Sequence, residues 1–398
     1  MTRSCGDVAT LAPARPVALD PAAIPLALYV HLPWCVRKCP YCDFNSYTRD
    51  GAIPEREYVE ALLADLDRDA HYAAGRALAS IFIGGGTPSL FSGDAIARLL
   101  DGVRARLDFA ADAEITLEAN PGAVDAQHFA AYRRAGVNRL SIGVQSFRPA
   151  QLAALGRIHD VADIERAIAT ARDAGFDNFN LDLMHGLPGD TPDDALRDLE
   201  RALAFAPPHL SWYQLTLEPG TAFGRKPPPL PPHDRIAEEF ERGCALLASH
   251  GLQRYEISAF ASSGRAARHN LNYWQFGDYL GIGAGAHGKL TTAAGILRTE
   301  KRRQPAAYMK AVNAGQPAGR ASAVAARDLP SEFMLNALRL RAGFDRAWLA
   351  ERAGLGGDAD DALAEAVTRG WLSDDGARVV PTELGYRFVD DLQLLFIS

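Results

Sequence analysis

From residue 26 onward the chain alternates short apolar or in-and-out runs with longer segments rich in Ala, Leu and Arg that repeat with a helical period. The runs Leu26–Leu32, Ser80–Gly84, Glu114–Ala119, Arg139–Gln145, Asn178–Met184 and Leu210–Leu217 predict strands. Helical patterns fall between or after them, at about 55–74, 94–107, 125–136, 161–174, 192–206 and 233–250. Six such units in succession predict an α/β fold whose parallel sheet curls into a full or partial barrel.

Barrels of this kind carry their reactive groups at the carboxyl ends of the strands. Those ends are polar here. Thr116, Glu118 and Asn120 alternate along the third strand, Gln145 ends the fourth, and Asn180 and Asp182 alternate along the fifth. The residues between them, Ile115, Leu117, Ala119, Leu181 and Leu183, are apolar or small. The alternation assigns one face to the surrounding helices and the other to the lumen.

Beyond about residue 320 the pattern changes to helices over Leu329–Leu340, Arg346–Ala353 and Ala359–Arg369, followed by a hairpin at Asp375-Gly376 and a last helix. This predicts a winged-helix-like domain. The organisation expected is therefore a flexible tail over 1–24, a barrel with an extension over 25–320, and the appended domain over 321–398.

Composition narrows the function classes. A chain of 398 residues with 48% hydrophobic content can bury a large core. A net charge of −7 with no basic block argues against nucleic acid, and the acidic appended domain lacks a basic recognition helix, which favours packing or partner docking. No apolar run reaches membrane-spanning length, and the first 24 residues lack the apolar core of a signal peptide. Peripheral membrane contact stays open. Five cysteines, three of them within eight residues, argue against a disulfide framework and for a reducing, cytoplasmic location. Cys5 lies in the tail and Cys244 in a helical pattern, so neither is a ligand candidate. The Pro-rich stretch 226–232 reads as an extended loop.

The remaining three thiols, Cys35, Cys39 and Cys42, form a C-x3-C-x2-C run directly after the first strand. A cubic iron–sulfur cluster takes four ligands, so three thiols leave one iron open to an external ligand. The alternative is a Cys3His zinc site with His31, although zinc ligands more often come as two separated pairs. Trp34, Tyr41 and Phe44 surround the loop and would shield a redox centre from water. A second motif, Gly84-Gly85-Gly86-Thr87-Pro88, ends the second strand, where glycines allow close backbone approach to a ligand.

These motifs resemble the radical S-adenosylmethionine (SAM) superfamily, in which the methionyl amino and carboxylate groups chelate the open iron of a [4Fe-4S] cluster. The resemblance runs from about residue 25 to the end. It rests on Tyr29-Val-His-Leu-Pro-Trp-Cys35, Lys38–Ser46, the glycine turn, Glu118-Ala-Asn-Pro121, Ser141–Phe147, Leu155-Gly-Arg-Ile-His159 and Asn180–Met184. Within the superfamily it is similar to the oxygen-independent coproporphyrinogen III oxidase group, and most of all to its heme chaperone branch.

The resemblance implies that Cys35, Cys39 and Cys42 hold the cluster and that Tyr41 packs near the SAM adenine. Gly85, Gly86 and Thr87 would meet the methionine end with Tyr29 close by, and Glu118, Gln145, Arg157 and Asp182 would line one or two SAM sites. The same branch carries the hexad H-N-x-x-Y-W, here His269–Trp274. Imidazole is a common axial ligand of heme iron and aromatic rings suit a flat porphyrin, while the plainer alternative is loop packing. With the resemblance, His269 becomes the expected heme ligand and His287 a second candidate. Two functions follow from it: a heme chaperone passing heme to acceptor hemoproteins, such as respiratory ones, or oxidative decarboxylation of coproporphyrinogen III. Enzymes of the oxidase branch extend the motif with a further Cys where this chain has Phe44, which favours the chaperone.

Overall fold

The computed structural model describes residues 18–49, 51–123 and 126–397. Cys5 and most of the expected tail lie outside the described residues. The part within them, 18–24, ends in a helical turn over Pro21–Ala23, capped by the Asp20 carboxylate on the Ala22 N–H (3.0 Å), with Ile24 buried.

Six parallel strands follow one another in space as in sequence: β1 Leu26–Leu32, β2 Leu78–Gly85, β3 Phe109–Ala119, β4 Arg139–Gln145, β5 Phe179–His185 and β6 His209–Gln214. The intervening helices include α1 Glu55–Asp69, α2 Gly93–Arg104, α3 Ala126–Ala135, α4 Val161–Asp173 and α5 Pro192–Leu203, with α6 His233–Ser249 after β6. Their apolar faces bury the sheet's outer side: Ile115, Leu117, Leu181 and Leu183 join Leu99, Ile168 and Leu199 in one core. Several helices begin with a side-chain cap directly after the strand-end loop. Ser92 caps α2, and Asp160/Asp163 and Thr191/Asp194 form reciprocal boxes on α4 and α5. Each box satisfies N–H groups that a helix start leaves unpaired, which fixes where the chain leaves the strand.

The sheet is larger than the alternation predicts. Two short strands, β7 Gln253–Arg254 and β8 Ala259–Ala261, pair antiparallel beyond β6. On the opposite side β9, Asp278–Ile282, pairs in parallel with β1, and β10 His287–Thr292, β11 Gly295–Lys301 and β12 Gly319–Ala323 extend it antiparallel. Strand β9 is hidden from hydropathy because it opens on a fully buried acid. Asp278 accepts from Arg76 (2.8 Å), Lys289 (3.0 Å) and Thr291 (2.8 Å to the hydroxyl), so its charge is matched inside the protein. A buried carboxylate without such partners would be far too costly.

The carboxyl-terminal segment packs around a second core of Phe333, Met334, Phe344, Leu363, Leu372, Val379 and Phe396, joined by Phe276 and Ile296 from the preceding extension, with a three-stranded sheet of Phe344–Asp345, Leu372–Asp374 and Arg378–Pro381. The turn at Asp375-Gly376 joins the last two strands, with the Asp375 carboxylate accepting from the Ala377 and Arg378 N–H groups. Among the described residues no helix is long and apolar enough to cross a membrane.

Candidate functional site

Strand β1 ends at Leu32, and the chain then enters the thiol loop through a closed neck. Trp34-Cys35 pairs in parallel with Tyr47-Thr48, and the Tyr47 N–H donates to Pro33 O (2.8 Å) and the Arg49 N–H to Cys35 O (2.9 Å). Trp34 anchors the neck edge-on to Tyr58, with ring centres 4.6 Å apart. Inside the loop the Cys42 N–H donates to Cys39 O (3.2 Å) and Lys38 Nζ to Phe44 O (2.9 Å). All three thiols are free. Each has a polar neighbour: Thr87 Oγ1 donates to Cys35 Sγ (3.6 Å), Arg157 Nη1 to Cys39 Sγ (3.5 Å), and Ser46 Oγ lies 3.8 Å from Cys42 Sγ. Burial pushes the Cys35 and Cys42 thiols above their ordinary value.

Among the described residues no three His, Cys, Asp or Glu side chains converge on a single point as one metal ion requires. His31 in particular is already used. Its Nδ1 pairs with Tyr29 Oη (2.8 Å) and its Nε2 with Asn45 O (2.9 Å), and burial holds its pKa below the ordinary value. The thiols instead border one pocket of about 250 Å³. That spacing suits a cluster, in which each thiolate takes a different iron, better than a Cys3His zinc site.

The glycine turn makes a close backbone approach to the protein itself. A Cβ on Gly85 (φ +119°) would come within 2.7 Å of the His31 imidazole, and one on Gly86 within 2.5 Å of Trp34 O. The Gly86 and Thr87 N–H groups donate to Leu32 O and Trp34 O (both 2.8 Å), and the Gly85 N–H to Glu118 Oε2 (3.0 Å). These glycines therefore let the end of β2 pack directly on the thiol loop. The turn still borders the pocket, with Gly85, Gly86 and Thr87 in its wall.

The inner faces of β3 to β6 close the pocket. Glu118 faces it from β3, Ser141 and Gln145 from β4, Asp182 from β5 and Tyr213 from β6; Arg157 and the Tyr41 ring complete the wall. Asp182 accepts from Ser141 Oγ (2.9 Å) and Asn180 Nδ2 (2.8 Å). Among the described residues Glu118 accepts only from the Gly85 N–H; burial, with the nearby Asp182 charge, pushes its pKa up to about 7. Burial also raises Asp182, against the pull of its hydrogen bonds. Two buried polar atoms here, Gln145 Oε1 and Arg157 Nε, have no partner among the described residues. Gln145 moreover sits at φ +66°, a strained value for a residue with a side chain. An orphaned acceptor, an orphaned donor and a strained backbone at one spot mark a place completed by a polar ligand.

Of the fourteen residues assigned from the sequence to the cluster, SAM or heme, eleven thus border one pocket. Ser141 and Tyr213 were not among them. The alternation applied to the third and fifth strands would have found both, since Ser141 shares a face with Gln145, and Tyr213 takes a bond from Gln145 Nε2 (3.2 Å).

The three exceptions are Tyr29, His287 and His269. Tyr29 and His287 border a neighbouring cavity. His269 lies on α7, Arg268–Trp274, which packs inside the sheet near the start of β2. It is 1% exposed, with Nδ1 paired to Ser80 Oγ and Nε2 to Tyr273 Oη (both 2.9 Å), and its ring stacks on Phe82. Burial lowers its pKa to about 3, so it is neutral at physiological pH. In this arrangement neither nitrogen is free to ligate iron.

Comparison with known proteins gives a consistent picture. The model of the radical SAM superfamily matches residues 29–202, and that of the HemN C-terminal domain matches residues 324–388. The chain is 52% identical over 376 residues to the heme chaperone HemW of Escherichia coli K12, covering 94% of this chain and 98% of the relative. It is 45% identical to HemW of Haemophilus influenzae, covering 95% and 99%. Among solved structures, it superposes on E. coli coproporphyrinogen III oxidase, HemN, described as a radical SAM enzyme. That match has a TM-score of 0.80 at 25% identity, covering 94% of this chain and 90% of the other.

Proposed function

Because the chain belongs to the radical SAM superfamily and, within it, to the HemW family, we propose that it is a heme chaperone: it binds heme and transfers it to acceptor hemoproteins. In this reading Cys35, Cys39 and Cys42 hold a [4Fe-4S] cluster, and SAM fills the adjoining pocket. Such a cluster with SAM supplies one-electron chemistry.

The chain's own residues fit these groups. The three free thiols are the right donors, and Arg157, donating to Cys39 Sγ, offsets thiolate charge. Glu118 and Asp182 give an acidic wall that suits the sulfonium charge of SAM, and Gln145 Oε1 and Arg157 Nε offer an unused acceptor and donor. The Tyr41 ring presents a flat apolar face for an adenine. A cytoplasmic location fits the free thiols.

The observation that carries the chaperone reading is the near full-length identity to HemW proteins. The second reading, coproporphyrinogen III oxidase, is favoured by the fold match to HemN. Against it stands Phe44, where the oxidase motif continues with another cysteine. The test is a spectrum taken during transfer. Protein loaded with one equivalent of heme and mixed anaerobically with apo-cytochrome b should hand its heme on faster than free heme partitions between the same proteins. Retention of all heme by the loaded protein would contradict the proposal.

A further inference from the structure

Beside the thiol pocket lies a second, wider cavity of about 450 Å³, within the range of cofactor sites. Its walls include Tyr29, Phe44, Tyr273, Tyr279, His287 and Arg303. The aromatic content is high, and Tyr273 meets Tyr279 edge to face with ring centres 4.5 Å apart. Phe44 is 59% exposed and borders both this cavity and the thiol pocket.

The histidines differ sharply in what their rings already do. His31, His159, His209 and His269 have both nitrogens engaged. His287, at the exposed start of β10, has no hydrogen bond to its ring among the described residues, and it faces the aromatic cavity. Directly opposite it in the β10–β11 register stands Glu300, which also borders the cavity; its Oε2 accepts from Arg320 Nε (2.9 Å) and Nη2 (2.6 Å), and its Oε1 has no hydrogen bond among the described residues. Cross-strand partners have Cβ atoms about 5 Å apart. A carboxylate so placed can accept the second ring N–H of an imidazole whose other nitrogen holds a metal, which fixes tautomer and orientation.

We infer that this cavity is the heme site, with His287 as the axial ligand of the iron. The inference rests on the chaperone reading and deepens it. The macrocycle packs on the Phe44, Tyr273 and Tyr279 rings, and the Arg303 guanidinium takes a propionate. An exposed single ligand also suits a carrier that must release its cargo. The hexad then acts through shape: His269 is a positioning residue that holds Tyr273 by its 2.9 Å bond. The cavity is tied to the thiol loop by Asn45, whose Nδ2 donates to Ala284 O and Arg303 O (both 2.9 Å) while its own carbonyl pairs with His31.

The experiment titrates ferric heme into the full-length protein and its His287→Ala and His269→Ala variants, reading the Soret band and the low-temperature EPR spectrum. His287→Ala should lose the imidazole-ligated signal and bind at least about tenfold more weakly, with added imidazole restoring the signal. His269→Ala should keep that signal while lowering Tm. An unchanged spectrum and affinity in His287→Ala would overturn the ligand assignment, as would loss of ligation in His269→Ala alone. If the unmodified protein formed no heme complex, the chaperone reading itself would fall, and this inference with it.

Discussion

Replacing Cys39 with alanine is expected to take anaerobically reconstituted protein from about four iron and four sulfide per chain to near zero, with loss of the broad absorption near 400 nm. The barrel should survive this change. The loop is closed at its neck by the Trp34-Cys35 and Tyr47-Thr48 pairing and anchored by Trp34 on Tyr58, none of which involves Cys39. Tm of the cluster-free protein should therefore move by no more than a few degrees. Iron and sulfide analysis with a thermal melt checks both parts. A protein that took up zinc and no iron would contradict the cluster assignment.

The second large effect concerns Glu118, which is buried, lies near Asp182, and has a pKa pushed up to about 7. In the folded state it stays protonated between its ordinary value of 4.5 and about 7, while in the unfolded chain it ionises. The unfolded state then binds fewer protons, so stability falls as pH rises through that window. At pH 8 the cost is on the order of 3 kcal/mol. Glu118→Gln should remove it, raising Tm at pH 8 and leaving Tm nearly unchanged at pH 4.5.

Ligand binding should show the opposite dependence. A cationic ligand prefers the ionised carboxylate, so SAM should bind more tightly as pH rises through about 7 and level off above it, with proton release on binding. Calorimetry at pH 6, 7 and 8 on the reconstituted protein should show this slope, and Glu118→Gln should flatten it and weaken binding. A pH-independent affinity in the unsubstituted protein would remove Glu118 from the SAM site.

The physics behind these sites was unevenly visible in the sequence. Strands β1 to β6 could be read because each obeys a simple alternation or a buried apolar run, and because Glu118, Gln145 and Asp182 break that run at one end. Strand β9 could not, since its first residue, Asp278, is a carboxylate whose burial depends on Lys289 of the next strand and on Arg76, which is remote in sequence. The short strands β7 and β8 carry too few residues to show a period. At the site, the three thiols announced themselves by spacing. The glycines were legible as a close approach, but not as one to His31 and Trp34, because steric partners belong to the folded chain. Likewise His269 looks available in sequence and is enclosed in the structure by Ser80, Phe82 and Tyr273.

The most direct test of the account supplies the reconstituted protein with coproporphyrinogen III, SAM and a strong reductant under anaerobic conditions. The porphyrin products are then separated, alongside a parallel titration with heme. The account predicts a saturable heme complex near one equivalent and no conversion to protoporphyrinogen. Stoichiometric or catalytic formation of protoporphyrinogen, with no stable heme complex, would contradict it.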